Sequence, residues 1–576
     1  METKNQGFHY IKMMMKRAGN SARLRRVLIL LPGVFALIGY TLYASRENNW
    51  LWILYVIFDA LKVYTGSFEA SLSGMLELKA TMEPAKYYFM CVCLEIGRWG
   101  GLLVAGTFLF QFLRDLYARM DAGRKARNDQ VIAVHGSSHY KRLLRDAFGP
   151  SAIIGDFPEK FAAHRHVLAF DSDHQLLEYL NAHFTEFPSV HASGKQKREH
   201  QVYLCLRSAS HAKYSHKGFI INNMAEDCAR LYWKQHYIRR YSGKTEQKIV
   251  LIGFGHYGQA LLSQALMVNV FAQGLCMEYH IFGDDGLYFR LHKGIERFAS
   301  VNAKDETKDS IFFHQGGWEN HLDLLADADR VILCHDTDEE NIYILSYLDG
   351  MVGDTPIHIR SRDVRMLKAL YSEHQIEEND SAAHICIFGT DRMLYTREVL
   401  LDESLMEIAK MIHAHYARHE SIAQCKTCQN RCNLRRCVRE CPYFIEDWNS
   451  LGVFLQRSNV CAADHMDVKL REVLQQDCTI TKETLSAYAQ AVEAGKDTDA
   501  FTPYLRLEHN RWMRYHYFNG WNYADIPAKD KNKKLHPMLV PYDDLDEKEK
   551  RKDLDGYLTL SKLQKYAVEK EELKTR

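Results

Sequence analysis

The stretch Ile249-Val-Leu-Ile-Gly253-Phe-Gly255-His-Tyr-Gly258 limits what this chain can fold into more than any other part of it. Four apolar residues run directly into GxGxxG and then into a helical pattern, so a buried strand must turn sharply into a helix. Gly253 suits the tight turn, Gly255 lets backbone amides approach an anion, and Gly258 lets the helix lie close on the strand. A helix start of this kind favours a phosphate, because free N–H groups and the helix dipole coincide there.

The surroundings fit the same reading. A second strand, 277–283, ends in Asp284-Asp285, where a ribose-binding carboxylate belongs, and Asp284 is the candidate. Apolar runs at 310–314, 330–334, 356–359 and 384–388 complete an open sheet, so residues 246–417 are expected to form a Rossmann-like α/β domain. Its expected cofactor is NAD or another adenine nucleotide, held by Gly253, Gly255, Gly258 and Asp284. Upstream, runs at 129–136, 152–155, 166–170 and 201–206 alternate with helical stretches and predict a second α/β unit over 113–245. There Ser138 and Lys141 stand in the second and third glycine places, so this unit reads as a degenerate, structural copy.

Residues 27–44 and 87–112 are each long enough to cross a hydrocarbon core of roughly 30 Å. Residues 50–66 are apolar but shorter and carry Asp59 and Lys62. Basic residues cluster before the first segment (Lys12, Lys16, Arg17, Arg23, Arg25, Arg26) and after the last (Arg114, Arg119, Arg124, Lys125), which places both ends in the cytoplasm. Two cytoplasmic ends need an even number of crossings, so 26–112 is expected to be a two-span, pore-like region with 50–66 re-entrant or interfacial, after a basic tail at 1–25. Three plain anchor helices are the alternative. In the last span Glu95 and Arg98 share a helical face beside Gly97 and Gly101, a pattern for an oligomer- or pore-facing helix or for a self-neutralising pair. Val63-Tyr-Thr-Gly-Ser-Phe68 departs from a potassium filter, so potassium selectivity has no support.

A formal net charge of +1 excludes whole-chain attraction to nucleic acid. Of 14 cysteines, several (Cys91, Cys205, Cys228, Cys334, Cys386 among them) lie in apolar runs and behave as small hydrophobes. Five others crowd into 418–445: Cys425, Cys428, Cys432, Cys437 and Cys441. Cys425, Cys428, Cys437 and Cys441 are the expected metal ligands, with Cys432 as substitute and zinc ahead of an iron–sulfur centre. A cysteine-rich helical linker or oxidation-sensing thiols are the other readings.

From 446 to 576 the chain turns to charged helices studded with aromatics. Leu507-Glu-His509-Asn-Arg511-Trp512, then Gly520-Trp521-Asn-Tyr523, then His536-Pro537 and Val540-Pro541-Tyr-Asp-Asp-Leu545, preceded by Trp448, Arg457-Ser-Asn459 and His465, resemble the ryanodine-receptor (RyR) domain. The two tandem α/β units after membrane spans resemble TrkA-type (RCK) domains, and the whole chain resembles a bacterial membrane protein family joining the two. The cysteine cluster departs from that pattern. The resemblance implies a mainly helical C-terminal module that recognises a nucleotide-derived ligand, and RCK units that bind nucleotides and move attached pore helices. Trp512, Trp521 and Tyr523 could stack a base, with Arg457, His509 and Arg511 at phosphate; the tryptophans could equally form a small core.

These readings combine into an inner-membrane homo-oligomer, a tetramer by preference, gated by nucleotide and passing ions through the lipid bilayer. Two other classes stay open: a membrane-anchored NAD(P)-dependent oxidoreductase, for which His335 and Asp336 are the nearest acid–base candidates, and a non-pore signalling protein in stress or phage defence.

Overall fold

The computed structural model describes residues 22–44, 51–125, 132–154, 165–183, 201–207, 219–243, 246–272, 275–284, 287–370, 376–378, 384–401, 404–420, 437–438 and 441–562. They fall into two compact units, Met1–Lys125 and Ala126–Arg576.

In the first unit, Pro84–Leu113 is the one described helix long and apolar enough to cross a membrane, and Ile29–Tyr43 is a shorter apolar segment. Pro32 stands inside the helix Ala22–Tyr43, where the missing N–H opens the backbone ladder. Tyr64 occupies the opening: its hydroxyl accepts from the Gly33 amide at 2.9 Å and donates to the Ile29 carbonyl at 2.6 Å. The Tyr40 hydroxyl accepts from the Glu69 amide at 3.1 Å. The segment after the short helix Trp52–Lys62 is therefore fastened to the chain's own first helix.

The small residues of the last helix face inward as well. A Cβ on Gly97 would lie 2.7 Å from the Ala36 Cβ, and one on Gly101 would lie 2.6 Å from the Val63 carbonyl oxygen. The side of the helix that carries Gly97 and Gly101 is filled by intrachain packing, because only glycine lets these backbones approach so closely, while Glu95 and Arg98 stay about half exposed. Glu95 and Arg98 form the self-neutralising pair, 3.8 Å apart, with Trp99 donating to Glu95 and the Arg98 guanidinium 4.9 Å from the centre of the Phe68 ring.

The second unit holds two parallel sheets. The smaller contains β1 (Ile132–Gly136), β2 (Ala152–Ile154), β3 (Arg165–Ala169), β4 (Gln201–Leu206) and β5 (Phe219–Asn223) in the order β2-β1-β3-β4-β5, the flavodoxin-like variant of a doubly wound sheet. The larger contains β6 (Glu246–Ile252), β7 (Cys276–Phe282), β8 (Ala299–Val301), β9 (Asp309–His314), β10 (Arg330–Leu333), β11 (Ile357–Arg360), β12 (Ile376–Glu378) and β13 (Ile385–Phe388), ordered β12-β13-β11-β10-β6-β7-β9-β8. Its central six strands follow the Rossmann winding, with the order reversing between β6 and β10.

The two sheets share one apolar core. Tyr140, Trp233, Tyr257, Leu261 and Phe388 belong to a single buried cluster that also reaches Cys461 and Tyr515 of the C-terminal module. The helix Met224–Gln235, anchored by Asn223 at its N-cap, supplies much of this junction, and its Trp233 indole donates to the Leu261 carbonyl at 2.9 Å. The C-terminal module is helical, with Val453–Asp464, Met466–Leu474, Lys482–Gly495, Thr502–Phe518 and Glu547–Lys562 around its own core.

Candidate functional site

The fingerprint loop sits at the C-terminal ends of β6 and β10, the crevice where doubly wound sheets bind ligands. Gly253 has φ +99°, and a Cβ there would meet the His335 backbone nitrogen at 2.6 Å. A Cβ on Gly258 would lie 2.1 Å from the Gly253 carbonyl oxygen. These two glycines perform the turn and the close helix–strand contact that the spacing predicts. Asp284, the expected ribose acid, lies exposed two residues beyond β7.

The second glycine tells a different story. A Cβ on Gly255 would come within 2.5–2.8 Å of the Asp336 carboxylate. That carboxylate accepts from the amides of His256 at 3.1 Å and Tyr257 at 3.2 Å, the first residues of the helix His256–Val268. The space kept for a pyrophosphate is thus taken by an internal anion, with both hydrogen bonds charge-assisted and aligned with the helix dipole. The loop carrying it is fixed: Asn341, fully buried, bonds both the amide and the carbonyl of His335, and Arg360 donates to the Asp336 carbonyl at 3.0 Å. Asp336, an acid–base candidate by sequence, is therefore engaged at the helix start and not a free catalytic base.

A larger opening lies on the flank of the same helix. A cavity of about 780 Å³ is walled by both sheets' helices and by the C-terminal module, within the 300–1,000 Å³ typical of ligand pockets. Six cations line it (Arg207, Arg230, Arg457, Lys529, Lys531, Lys534) against two carboxylates, Glu226 and Asp464. Both carboxylates are already engaged. Asp464 binds Arg230 at 2.7 Å and Gln264 at 2.9 Å, and Arg457 reaches Glu226 at 2.6 Å. One side chain from each of the three modules thus meets at Asp464, and Arg230, buried at 5 % exposure, also donates to the Leu405 carbonyl. The unmatched positive charge is carried by Arg207 and the three lysines. Burial first, then repulsion from Lys531 and Lys552, pulls the Lys529 ammonium below its ordinary value.

Aromatic surface accompanies the charge. Trp521 stacks on Phe454 with ring centres 5.2 Å apart, and Tyr515, Phe518 and Tyr288 line the same space. His292 and His516 also face it, and burial holds both neutral, His516 down to about 3.

The six expected ligand residues of the C-terminal module divide. Arg457 and Trp521 line the junction cavity. His509, Arg511 and Trp512 line a separate cavity of about 310 Å³ inside the module. Tyr523 is exposed and lines neither. Arg511 is buried and spends one N–H from each of its three guanidinium nitrogens inside the module, two on Glu508 at 2.7 and 2.9 Å and a third on the Cys461 sulfur. Lys469 completes this buried network on Glu508 at 2.6 Å, and Arg511 and Lys469 together hold the Glu508 carboxyl well below its ordinary range against the cost of burial. His509 donates from Nε2 to the Val540 carbonyl, 2.8 Å away, and its Nδ1 lies 3.4 Å from Asp553.

Of the expected metal ligands, Cys425, Cys428 and Cys432 lie outside the described residues. Cys437 is buried in the apolar cluster of Met411, Phe444 and Trp448, and Cys441 stands at the N-cap of the helix Pro442–Ser450. A different donor group comes together among the described residues: His236, His358 and Cys386, all buried, with ligand atoms within 4.8 Å of one another. His358 and Cys386 are opposite partners on β11 and β13, and burial keeps the His358 ring neutral, the form that binds metal. The set is of the zinc type but one ligand short of a closed structural site. No spacing rule could find it, because sheet register and a helix end assemble it from residues far apart in sequence.

Comparison with known proteins adds one firm assignment: residues 500–566 match the RyR domain family. No curated protein sequence matches the chain. Among solved structures it is similar to one described as the GsuK channel, at 11 % identity and TM-score 0.28 over 66 % of this chain and 81 % of that one. A structure of GsuK bound to ADP gives 12 % identity and TM-score 0.25 over 68 % of this chain and 99 % of that one.

Proposed function

We propose that this protein is a nucleotide-regulated membrane effector, a ligand-gated oligomeric pore whose sensing site is the cavity at the junction of the two sheets and the RyR domain. The observation that carries the reading is that one cavity of about 780 Å³ is walled by all three modules and combines surplus positive charge with stacked aromatic rings. Such a lining suits a nucleotide, with rings for a base and cations for phosphate. A ligand that touches three modules at once has different contacts when they shift, which is the differential affinity a switch requires.

In this reading the protein sits in a bacterial inner membrane with both ends cytoplasmic, and residues 26–112 line or gate the pore. The test is ion flux through liposomes carrying the full-length protein, with ATP, ADP and NAD added in turn. Nucleotide-dependent flux that Trp521→Ala abolishes is the expected result. Binding without flux would replace the pore with a signalling role, and reduction of NAD by a hydride donor supplied in a cell extract fraction, catalysed by the protein, would replace both with an oxidoreductase.

A further inference from the structure

Resting on the reading above, we infer that the ligand carries at least two linked phosphoryl groups, held by Lys529, Lys531 and Lys534 of the RyR domain together with Arg207, and that the GxGxxG helix contributes its flank and not its amide end.

Three independent observations converge. The amide end is closed, because Asp336 accepts from the amides of His256 and Tyr257 and fills the space in front of Gly255. A phosphate arriving there would meet a carboxylate held by the fixed loop after β10, and two anions cannot share two amide donors. The flank is open: His256, Gln259, Ser263, Gln264 and Met267, on successive turns of the same helix, line the junction cavity.

The charge balance then sets the class of ligand. Arg230 and Arg457 are matched by Asp464 and Glu226. Neither Lys529 nor Lys531 has a carboxylate within ion-pair distance among the described residues, and Lys534 bonds only the Asn519 carbonyl, at 2.9 Å. The Arg207 Nη2 is buried without a hydrogen-bond partner. Four unmatched cations around one cavity favour a ligand with several negative charges, which a nucleoside or a single phosphate does not supply. Lysines on the segment 529–534 would lose their mutual repulsion on binding. An adenine or similar base would lie toward Phe454 and Trp521.

The test is calorimetric binding to full-length protein in detergent, using adenosine, AMP, ADP, ATP and inorganic tripolyphosphate. ATP and ADP should bind, AMP at least tenfold more weakly, and adenosine not measurably, while tripolyphosphate should displace ATP. The variant Lys529→Ala/Lys531→Ala/Lys534→Ala should lose roughly 30-fold or more in ATP affinity. All three side chains are exposed and only Lys534 bonds the chain among the described residues, at the Asn519 carbonyl, so a single cooperative melting transition within a few degrees of the parent's will show the fold intact. Asp336→Asn keeps an acceptor oxygen at the amides and should change ATP affinity less than threefold. Adenosine binding as tightly as ATP, an unaffected triple variant, or a tenfold change in Asp336→Asn would each overturn the inference while leaving a nucleotide site in place. Absence of binding by every nucleotide would overturn the reading it rests on as well.

Discussion

The fingerprint loop and the junction cavity are two faces of one helix, and they meet negative charge in opposite ways. At its N-terminus the helix His256–Val268 is supplied with an anion from within the chain; along its side it borders a cavity whose cations outnumber its carboxylates. The glycines at 253 and 258 are needed for backbone geometry whether or not a nucleotide binds, since each removes a clash with the chain itself. A GxGxxG motif therefore reports how a strand and helix are joined, and it is Asp336, three residues past the facing strand β10, that reports whether the amides are free.

The sharpest way to break this contrast is at Asp464, where Arg230, Gln264 and the carboxylate bring the three modules together on the cavity wall. Asp464→Ala removes the close partner of the buried Arg230 and leaves it Asp227, 3.9 Å away, and the Leu405 carbonyl, at a cost of about 3 kcal/mol. Thermal unfolding of the full-length protein followed by tryptophan fluorescence should show a large fall in midpoint, with the two sheets and the RyR domain separating into distinct transitions. A single transition near the parent midpoint would mean that Asp464 does not join the modules.

Asp336→Ala attacks the other side of the comparison. It leaves two amides without their acceptor at a partly solvated helix start, a loss of about 1–2 kcal/mol. The vacated place is a ready anion site, so sulfate should restore stability to the variant by more than it adds to the parent at matched ionic strength. Equal sulfate effects on both proteins would show that the carboxylate does not occupy a phosphate position.

Much of the scaffold was legible in the residues. Each expected strand of the larger sheet is present, and the apolar runs at 249–252, 330–333 and 385–388 lie side by side or one strand apart as buried parallel strands. The RyR resemblance on Glu508 to Tyr523 falls inside the matched region 500–566. What escaped was pairing between distant residues. Asp336 follows its strand like any loop acid, and nothing in its neighbours announces two amides 80 residues earlier. Arg511 reads as a phosphate ligand, and nothing in its neighbours announces that each of its guanidinium nitrogens already donates to Glu508 or Cys461. Gly97 and Gly101 give a helix-contact signal but do not say that the partner is the chain's own Ala36 and Val63. The lysines at 529–534 sit in a charged, turn-rich stretch that composition assigns to solvent, and only the fold carries them to the cavity.

The smallest effect expected concerns the source of the cavity's charge. His516 lines it, and burial lowers its titration from 6.5 to about 3. Because the folded value lies below the unfolded one, the unfolded chain binds the extra proton first. The stability from keeping this ring neutral is complete above the unfolded value and is lost as pH falls from about 6.5 toward 3. Between pH 7 and 6 the loss for one such ring is about 0.7 kcal/mol. His516→Gln should therefore show a shallower drop in unfolding midpoint over that interval than the parent, after its overall stability offset is subtracted. His536, lowered to about 4 beside it, keeps part of the slope in the variant. An unchanged slope would mean that His516 titrates near 6.5 in the folded protein too, and a steeper drop in the variant would mean that the folded ring keeps its proton and adds a cation to the cavity wall. In that last case the surplus charge of the cavity would be shared between that ring, Arg207 and the three lysines.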